Sequence, residues 1–289
     1  MIAFKCLIFA MQIRLLLLLL PFFAACKKES TGTTIPAEIL RNVSYGTNAK
    51  QTLDLYLPAD RSAANTKLLI MIHGGGWTEG DKLDFNSGVA ELQKRIPQLA
   101  IANLNYRLAS NGTNLFPAQE EDVKTAIAFL MNGSANYKYS KTHAILGASA
   151  GAHLSLLQSY KYPNTDNKAV ISLFAPTELT ALYNSPINPL IPVLLLSVTG
   201  ATPASNPTIY SNSSPITFIT PSSTPTQIFQ GGTDIVVDPA QAILLRNALN
   251  AKAVPNEYIF YPGEGHGWSG ANLTDTFNKI EAFLRARLL

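Results

Sequence analysis

Apolar positions change period along the chain, and the changes mark out alternating strands and helices. Residues 51–56 (Gln-Thr-Leu-Asp-Leu-Tyr) alternate with period two and stop before Pro58, which predicts a strand. Residues 68–72 are an unbroken apolar run and 99–104 are apolar but for Asn103, as expected of strands buried on both faces. Further strands are predicted at 144–146, at 169–174, within 225–230 and at 257–261. Val123, Ile127, Leu130 and Met131 fall at helical spacing within 118–131, with Asn132-Gly133 as the expected stop. Helices are also predicted over 150–160, over 239–250 with Pro239 in the first turn, and over 274–288. Strands alternating with helices imply the α/β class: a mostly parallel central sheet with helices on both faces. In such sheets the site lies at the C-terminal ends of the strands. One segment breaks the alternation. Residues 177–224 are rich in Ser, Thr, Pro and Asn and enclose an apolar stretch, 190–198, that reads as a helix. The segment is too long for an ordinary connection and is expected to form a wall or cap of the pocket.

Composition narrows the class without naming a chemistry. The 289 residues are 47% hydrophobic and only 14% charged, so the chain can bury a sizeable core and is not intrinsically disordered. Two cysteines are too few for a disulfide framework or a Cys-rich zinc site. The net charge of +3 shrinks further once the leader is set aside, since Lys5 and Arg14 lie in a stretch, 1–25, that holds no acid. The remainder carries no basic stripe, and no nucleic-acid partner is expected.

The leader reads as a secretory signal peptide: a sparse basic start, the Leu run at 15–20 and small residues before Cys26. Met11 is an alternative start, because Met11-Gln12-Ile13-Arg14 makes a basic n-region by itself. Phe23-Ala24-Ala25-Cys26 resembles a bacterial lipobox with Phe in place of the usual Leu. That resemblance implies cleavage before Cys26, lipidation of its thiol and a place at the bacterial cell envelope, on the periplasmic or surface side of a membrane. A plain transmembrane anchor or ordinary secretion is the alternative, since residues 7–25 approach the length of a span. The expected organisation is a signal peptide at 1–25, a tether at 26–38 and one catalytic domain at 39–289.

Three motifs carry chemistry. Gly147-Ala148-Ser149-Ala150-Gly151 stands between a predicted strand and a predicted helix, the context of a nucleophile elbow. A sharp turn there lifts the serine hydroxyl above the sheet, and the following helix N-terminus favours an oxyanion. His73-Gly74-Gly75-Gly76-Trp77 follows the 68–72 strand. Glycines at that place let backbone N–H groups face a substrate oxygen, and a phosphate loop would instead need Gly-Lys-Ser/Thr and an immediate helix. His266, in Gly263-Glu264-Gly265-His266-Gly267-Trp268 after the last strand, is the expected general base. His73 is expected to brace the glycine loop, His143 to start a strand, and His153 to pack or hydrogen-bond within its helix. The acid that orients the base is expected at Asp234, with Asp238 as the alternative and as a candidate helix cap.

Together these motifs resemble the α/β-hydrolase esterases of the HGGGW type, above all the compact group that includes bacterial feruloyl and acetyl esterases and is related to hormone-sensitive lipases. Also matching are Asn105-Tyr106-Arg107-Leu108, Phe116-Pro117-Ala118-Gln119, Glu121-Asp122-Val123-Lys124, Ser214-Pro215-Ile216, Gly232-Thr233-Asp234 and Gly265-His266-Gly267, so the likeness spans nearly all of 40–289. It departs where Gln230-Gly231-Gly232 replaces the usual His-Gly ahead of the acid, while Ala152-His153 follows the elbow as the small residue and His usual there. The resemblance implies an α/β-hydrolase fold and a serine carboxylic-ester hydrolase working through Ser149, Asp234 and His266. It implies oxyanion donors at Gly75, Gly76 and Ala150, scaffold roles for Tyr106, Arg107 and Asp122, and no metal or organic cofactor. The expected partner is a small-molecule ester, short-chain or carbohydrate-linked, with membrane contact through Cys26; the oligomeric state is left open. A peptidase or amidase of the same fold and a catalytically silent, anchored binding protein are the rivals.

Overall fold

The computed structural model describes residues 34–289. The expected signal peptide and the expected lipidation site at Cys26 lie outside the described residues. Eight strands form one sheet: β1 (Glu38–Ser44), β2 (Thr52–Leu57), β3 (Leu68–Ile72), β4 (Ala100–Leu104), β5 (His143–Ala148), β6 (Asn167–Leu173), β7 (Thr226–Gly231) and β8 (Asn256–Tyr261). Their order is β1-β2-β4-β3-β5-β6-β7-β8. The β1–β2 and β2–β4 pairs are antiparallel, and every pair from β4 to β8 is parallel. The apolar run of β3 and the run of β4, interrupted only by Asn103, are buried at every position, which is what a central strand covered on both faces requires.

Side chains leave a strand alternately, so β3 feeds two cores. Leu68, Ile70 and Ile72 pack with Val123 and Leu130 of α2 (Ala118–Tyr137) and with Leu154 of α3 (Ala150–Lys161). Leu69 and Met71 pack on the other face with Leu92 of α1 (Asn86–Arg95) and Ile280, Phe283 and Leu284 of α8 (Gly270–Arg287). Farther along, Val170 and Ile228 meet Leu156 of α3 and Leu245 of α7 (Ala240–Ala251). The layered α/β order expected from the alternation is therefore present. Between β6 and β7 the chain forms α4 (Leu179–Asn184), α5 (Ile191–Thr199), α6 (Pro207–Asn212) and a 3₁₀ turn at Pro215–Phe218.

Three elements differ from the sequence expectation. Helix α2 runs past Asn132-Gly133 to Tyr137 and ends at Lys138, whose φ is 60°. An interior glycine costs only about 1 kcal/mol, and here it makes room: a Cβ at Gly133 would sit 2.8 Å from the Tyr137 ring. The Tyr139 hydroxyl then donates to the Leu130 carbonyl at 2.7 Å and closes the end. Strand β1 carries no clear period, and helix α1 is not among the expected elements although Val89, Leu92 and Ile96 fall at helical spacing. Strand β1 is an edge strand with no fully buried side chain, and α1 buries only Gly88, Val89 and Leu92.

Leu92 is fully buried between α1 and the sheet. Leu92→Ala is expected to lower the free energy of urea unfolding by about 2–5 kcal/mol while leaving the distant Ser149 site intact.

Candidate active site

Ser149 lies at the turn from β5 into α3 with φ 52° and ψ −121°. A non-glycine residue held there costs of order 1–3 kcal/mol, so the surroundings must hold it. The Ser149 N–H donates to the Leu173 carbonyl at 2.9 Å, and the Ser149 carbonyl accepts from the His153 N–H at 3.0 Å. The flanking glycines are needed for space. A Cβ on Gly151 would fall 2.0 Å from the Ile72 carbonyl oxygen, and one on Gly147 would fall 2.3 Å from the Gly151 backbone. Helix α3 thus starts in contact with β3, and the serine stands above the sheet.

His266 joins Ser149 from the loop after β8. Its Nε2 is 2.9 Å from the Ser149 Oγ, and its Nδ1 is 2.8 Å from Asp234 Oδ2. An ionised carboxylate only accepts, so Nδ1 carries the proton and Nε2 is free to accept from the serine hydroxyl. Asp234 is fully buried. Burial would raise its pKa, but the hydrogen bond and charge of His266 and the N–H groups of Val236 and Val237 outweigh it and hold the carboxyl below its ordinary value. Those two N–H groups reach Oδ1 at 2.8 and 3.0 Å. Asp238, the alternative acid, instead accepts the Ala240 N–H at 2.8 Å as α7 begins. The acid loop and the histidine loop touch because Gly231 has no side chain: a Cβ there would lie 2.2 Å from the Gly265 oxygen. Thr233 also donates both its N–H and its hydroxyl to the Glu264 carbonyl.

Gln230 is the functional neighbour that sequence reasoning passed over. Its Nε2 donates to Asp234 Oδ2 at 3.1 Å, the same oxygen that His266 uses, and to the Gly231 carbonyl. The one signal in the sequence is the departure from the family's His-Gly at this place.

The glycine loop is fastened at several points. Gly75, Gly76 and Trp77 have φ of 103°, 56° and 61°. A Cβ on Gly75 would meet the Glu79 oxygen at 2.1 Å. His73 stacks on Tyr106 at 4.4 Å, and the Tyr106 hydroxyl donates to the His73 carbonyl at 3.0 Å. Trp77 is buried and its indole N–H donates to His153 Nδ1 at 3.2 Å. The other ring nitrogen of His153 is 2.6 Å from the Ser213 carbonyl, so it carries the proton. Burial pushes the His153 pKa down to about 4, and the ring is neutral. Arg107 and Asp122, both expected to serve as scaffold, form an ion pair at 2.6 Å that ties the segment after β4 to α2. His143 opens β5 as expected.

Gly75, Gly76 and Ala150 line one cavity of about 440 Å³ with Ser149 and His266. Among the described residues, no protein oxygen accepts the N–H of these three. Phe174, Leu182, Ile191, Leu194 and Val236 give the cavity an apolar wall, while the exposed carboxylates of Glu79 and Asp84 stand at its rim. Leu182 of α4 and Ile191, Leu194 and Leu195 of α5, all within 177–224, line this cavity. Among the described residues no group of three or more His, Cys, Asp or Glu side chains could hold a metal. A serine hydroxyl within hydrogen-bond reach of an imidazole nitrogen, beside N–H groups with no protein acceptor, is an arrangement suited to attack on a carbonyl.

Comparison with known proteins places this geometry. The family profile described as BD-FAE matches residues 53–249. Esterase LipC of Mycobacterium tuberculosis is 27% identical over 262 residues, covering 84% of this chain and 64% of LipC. The probable carboxylic ester hydrolase LipM of the same organism is 26% identical and is covered over 49% of its length. The chain thus spans less than two thirds of each of these relatives. Among solved structures, a bifunctional GH43-CE protein of Bacteroides eggerthii superposes with a TM-score of 0.74 at 26% identity, over 84% of this chain and 38% of that one. The thermophilic esterase Est2 of Thermogutta terrifontis superposes with a TM-score of 0.69 at 21% identity, over 86% and 91% of the two chains. The fold is the α/β-hydrolase fold.

Two predictions arise from this geometry. Gln230→Leu keeps the volume but removes the amide donor to Asp234; it is expected to lower kcat for an ester about tenfold with KM changed less than about twofold, read by steady-state kinetics. The second concerns pH. Folded His153 is neutral down to about pH 4, whereas an unfolded histidine takes up a proton near ~6.5. The unfolded chain therefore binds more protons across that window, and stability falls as pH drops through it. His153→Gln is expected to flatten the decline in Tm between those pH values, measured by calorimetry.

Proposed function

The chain belongs to the BD-FAE family, and on that premise we propose that it is a serine carboxylic-ester hydrolase using Ser149, His266 and Asp234. The observation that carries the reading is the continuous pair of hydrogen bonds from Ser149 through His266 to buried Asp234, beside the N–H groups of Gly75, Gly76 and Ala150. The names of LipC and LipM, an esterase and a carboxylic ester hydrolase, agree with it.

In the proposed reaction the Ser149 oxygen attacks the ester carbonyl carbon while His266 Nε2 takes its proton. Asp234 keeps the Nδ1 proton in place and stabilises the imidazolium that forms. The carbonyl oxygen becomes an oxyanion held by the three N–H groups, and the α3 N-terminus adds favourable potential. The tetrahedral centre collapses, the alcohol leaves with the proton from His266, and Ser149 is acylated. Water then repeats the sequence, with His266 as base, and the acid departs.

The apolar wall of the cavity suits the acyl part of a short-chain ester. A carbohydrate-linked acyl ester is the second class, by the resemblance to acetyl and feruloyl esterases. Lipidation of Cys26 would hold the enzyme at the bacterial cell envelope.

Residues 27–289, with and without Ser149→Ala, can be assayed on p-nitrophenyl acetate, butyrate and octanoate. The expected result is hydrolysis of the shorter esters that falls at least about 10³-fold in the variant. A folded wild-type protein without activity would overturn the reading.

A further inference from the structure

Helix α5 is apolar on both sides. Its inner residues Ile191, Leu195 and Val198 are buried, but Leu190, Val193 and Leu196 are 69%, 63% and 43% exposed. Their spacing of three sets them along one ridge, and Ile187 in the preceding loop is also exposed. A helix apolar all round is ordinarily covered, and no described element covers this side.

The charge pattern says what kind of surface would cover it. In a chain that is 14% charged, residues 179–233 contain no Lys, Arg, Asp or Glu at all. All of α4, α5, α6 and the loops between them lie within that stretch. A face without charges can approach hydrocarbon without desolvating ions, which is the largest penalty at a membrane surface. A carbohydrate would not call for outward Leu and Val, because its hydroxyls would find no polar partner on them.

The helix that carries the ridge also walls the pocket with its other residues. Ile191, Leu194 and Leu195 of the same helix line the cavity that holds Ser149. On the acid loop, Ile235 is 69% exposed next to Val236 and Val237, which line the cavity too. Cys26, read as the lipid-bearing residue, precedes Thr34 by eight residues in the sequence, a tether of at most about 28 Å.

We propose that the outer face of α5, with Leu190, Val193 and Leu196 as its ridge, docks on a neutral lipid surface and sets the cavity beside it. The reading rests on the proposed esterase activity only for its consequence: esters carried in the lipid layer reach Ser149 by way of the ridge. The attraction is apolar, so it does not depend on anionic lipid or on salt.

The test uses residues 27–289, which lack Cys26 and keep the whole compact unit Thr34–Leu289. Co-sedimentation with phosphatidylcholine vesicles is compared for the wild type and for Leu190→Ser/Val193→Ser/Leu196→Ser, with Val193→Ser alone as a milder variant. The bound-to-free ratio is expected to fall at least about tenfold in the triple variant, and wild-type binding is expected to hold from low to high salt. Hydrolysis of soluble p-nitrophenyl butyrate by the triple variant is expected to stay within about twofold, which also reports that it is folded. Absent wild-type binding, equal binding by the triple variant, or binding abolished by salt would each overturn the proposal. A dimer in sedimentation velocity that the substitutions dissolve would overturn it in favour of a second copy of this chain. Failure of the esterase reading would show separately, as absent hydrolysis by a wild type that still binds vesicles.

Discussion

Helix α3 begins in van der Waals contact with β3, at a separation that only glycine permits. The hydrogen of Gly151 faces the Ile72 and His73 carbonyl oxygens where any Cβ would overlap them, and Gly147 meets Gly151 in the same way. The geometry of the whole site depends on this close approach. It forces the turn at Ser149 into positive φ and sends the hydroxyl outward. It leaves the Ala150 N–H at the first position of a helix, where no preceding carbonyl can accept it. It also brings His153, one turn on, under Trp77, so that the elbow and the glycine loop share a buried hydrogen bond.

A fully buried carboxylate is the second constraint. Asp234 is out of water, and its charge is met by His266, two backbone N–H groups and the Gln230 amide. Such a set offsets the desolvation penalty and leaves the carboxylate ionised. It also orients the ring, since each donor takes a lone-pair direction and only one remains for Nδ1. The backbone N–H groups come from the turn that follows β7, and the histidine arrives from the turn that follows β8, which is paired with it in parallel. Adjacent parallel strands therefore deliver Asp234 and His266 to the same edge.

The inserted segment has two jobs that its composition combines. Its inner face closes the cavity, and it is locked to α3 by His153 at the Ser213 carbonyl. Its Ser214 hydroxyl holds the start of α4 and the end of α6 together. Its many hydroxyl and amide side chains satisfy turns locally, and its one charged residue, Glu178, caps the start of α4.

The central strands, the elbow and the glycine loop were legible in local sequence. A strand buried on both faces must be apolar throughout, and a turn with no room for a Cβ must carry glycine, so residues 68–72 and 147–151 could be read directly. Local sequence also pointed to His266 and Asp234 by their places after strands. Contacts between residues far apart in the chain settled the remainder. The pairing of Gln230 with Asp234 needed the turn after β7 to fold back on itself beside the histidine loop. The run of α2 beyond Gly133 was decided by Tyr137 and Tyr139, which occupy the space and the carbonyl at its end. Strand β1 is defined by its ladder to β2 and not by its own pattern, because an edge strand exposed on both sides keeps no period. In each case the deciding energy is a contact made across the fold, and no window of neighbouring residues contains it.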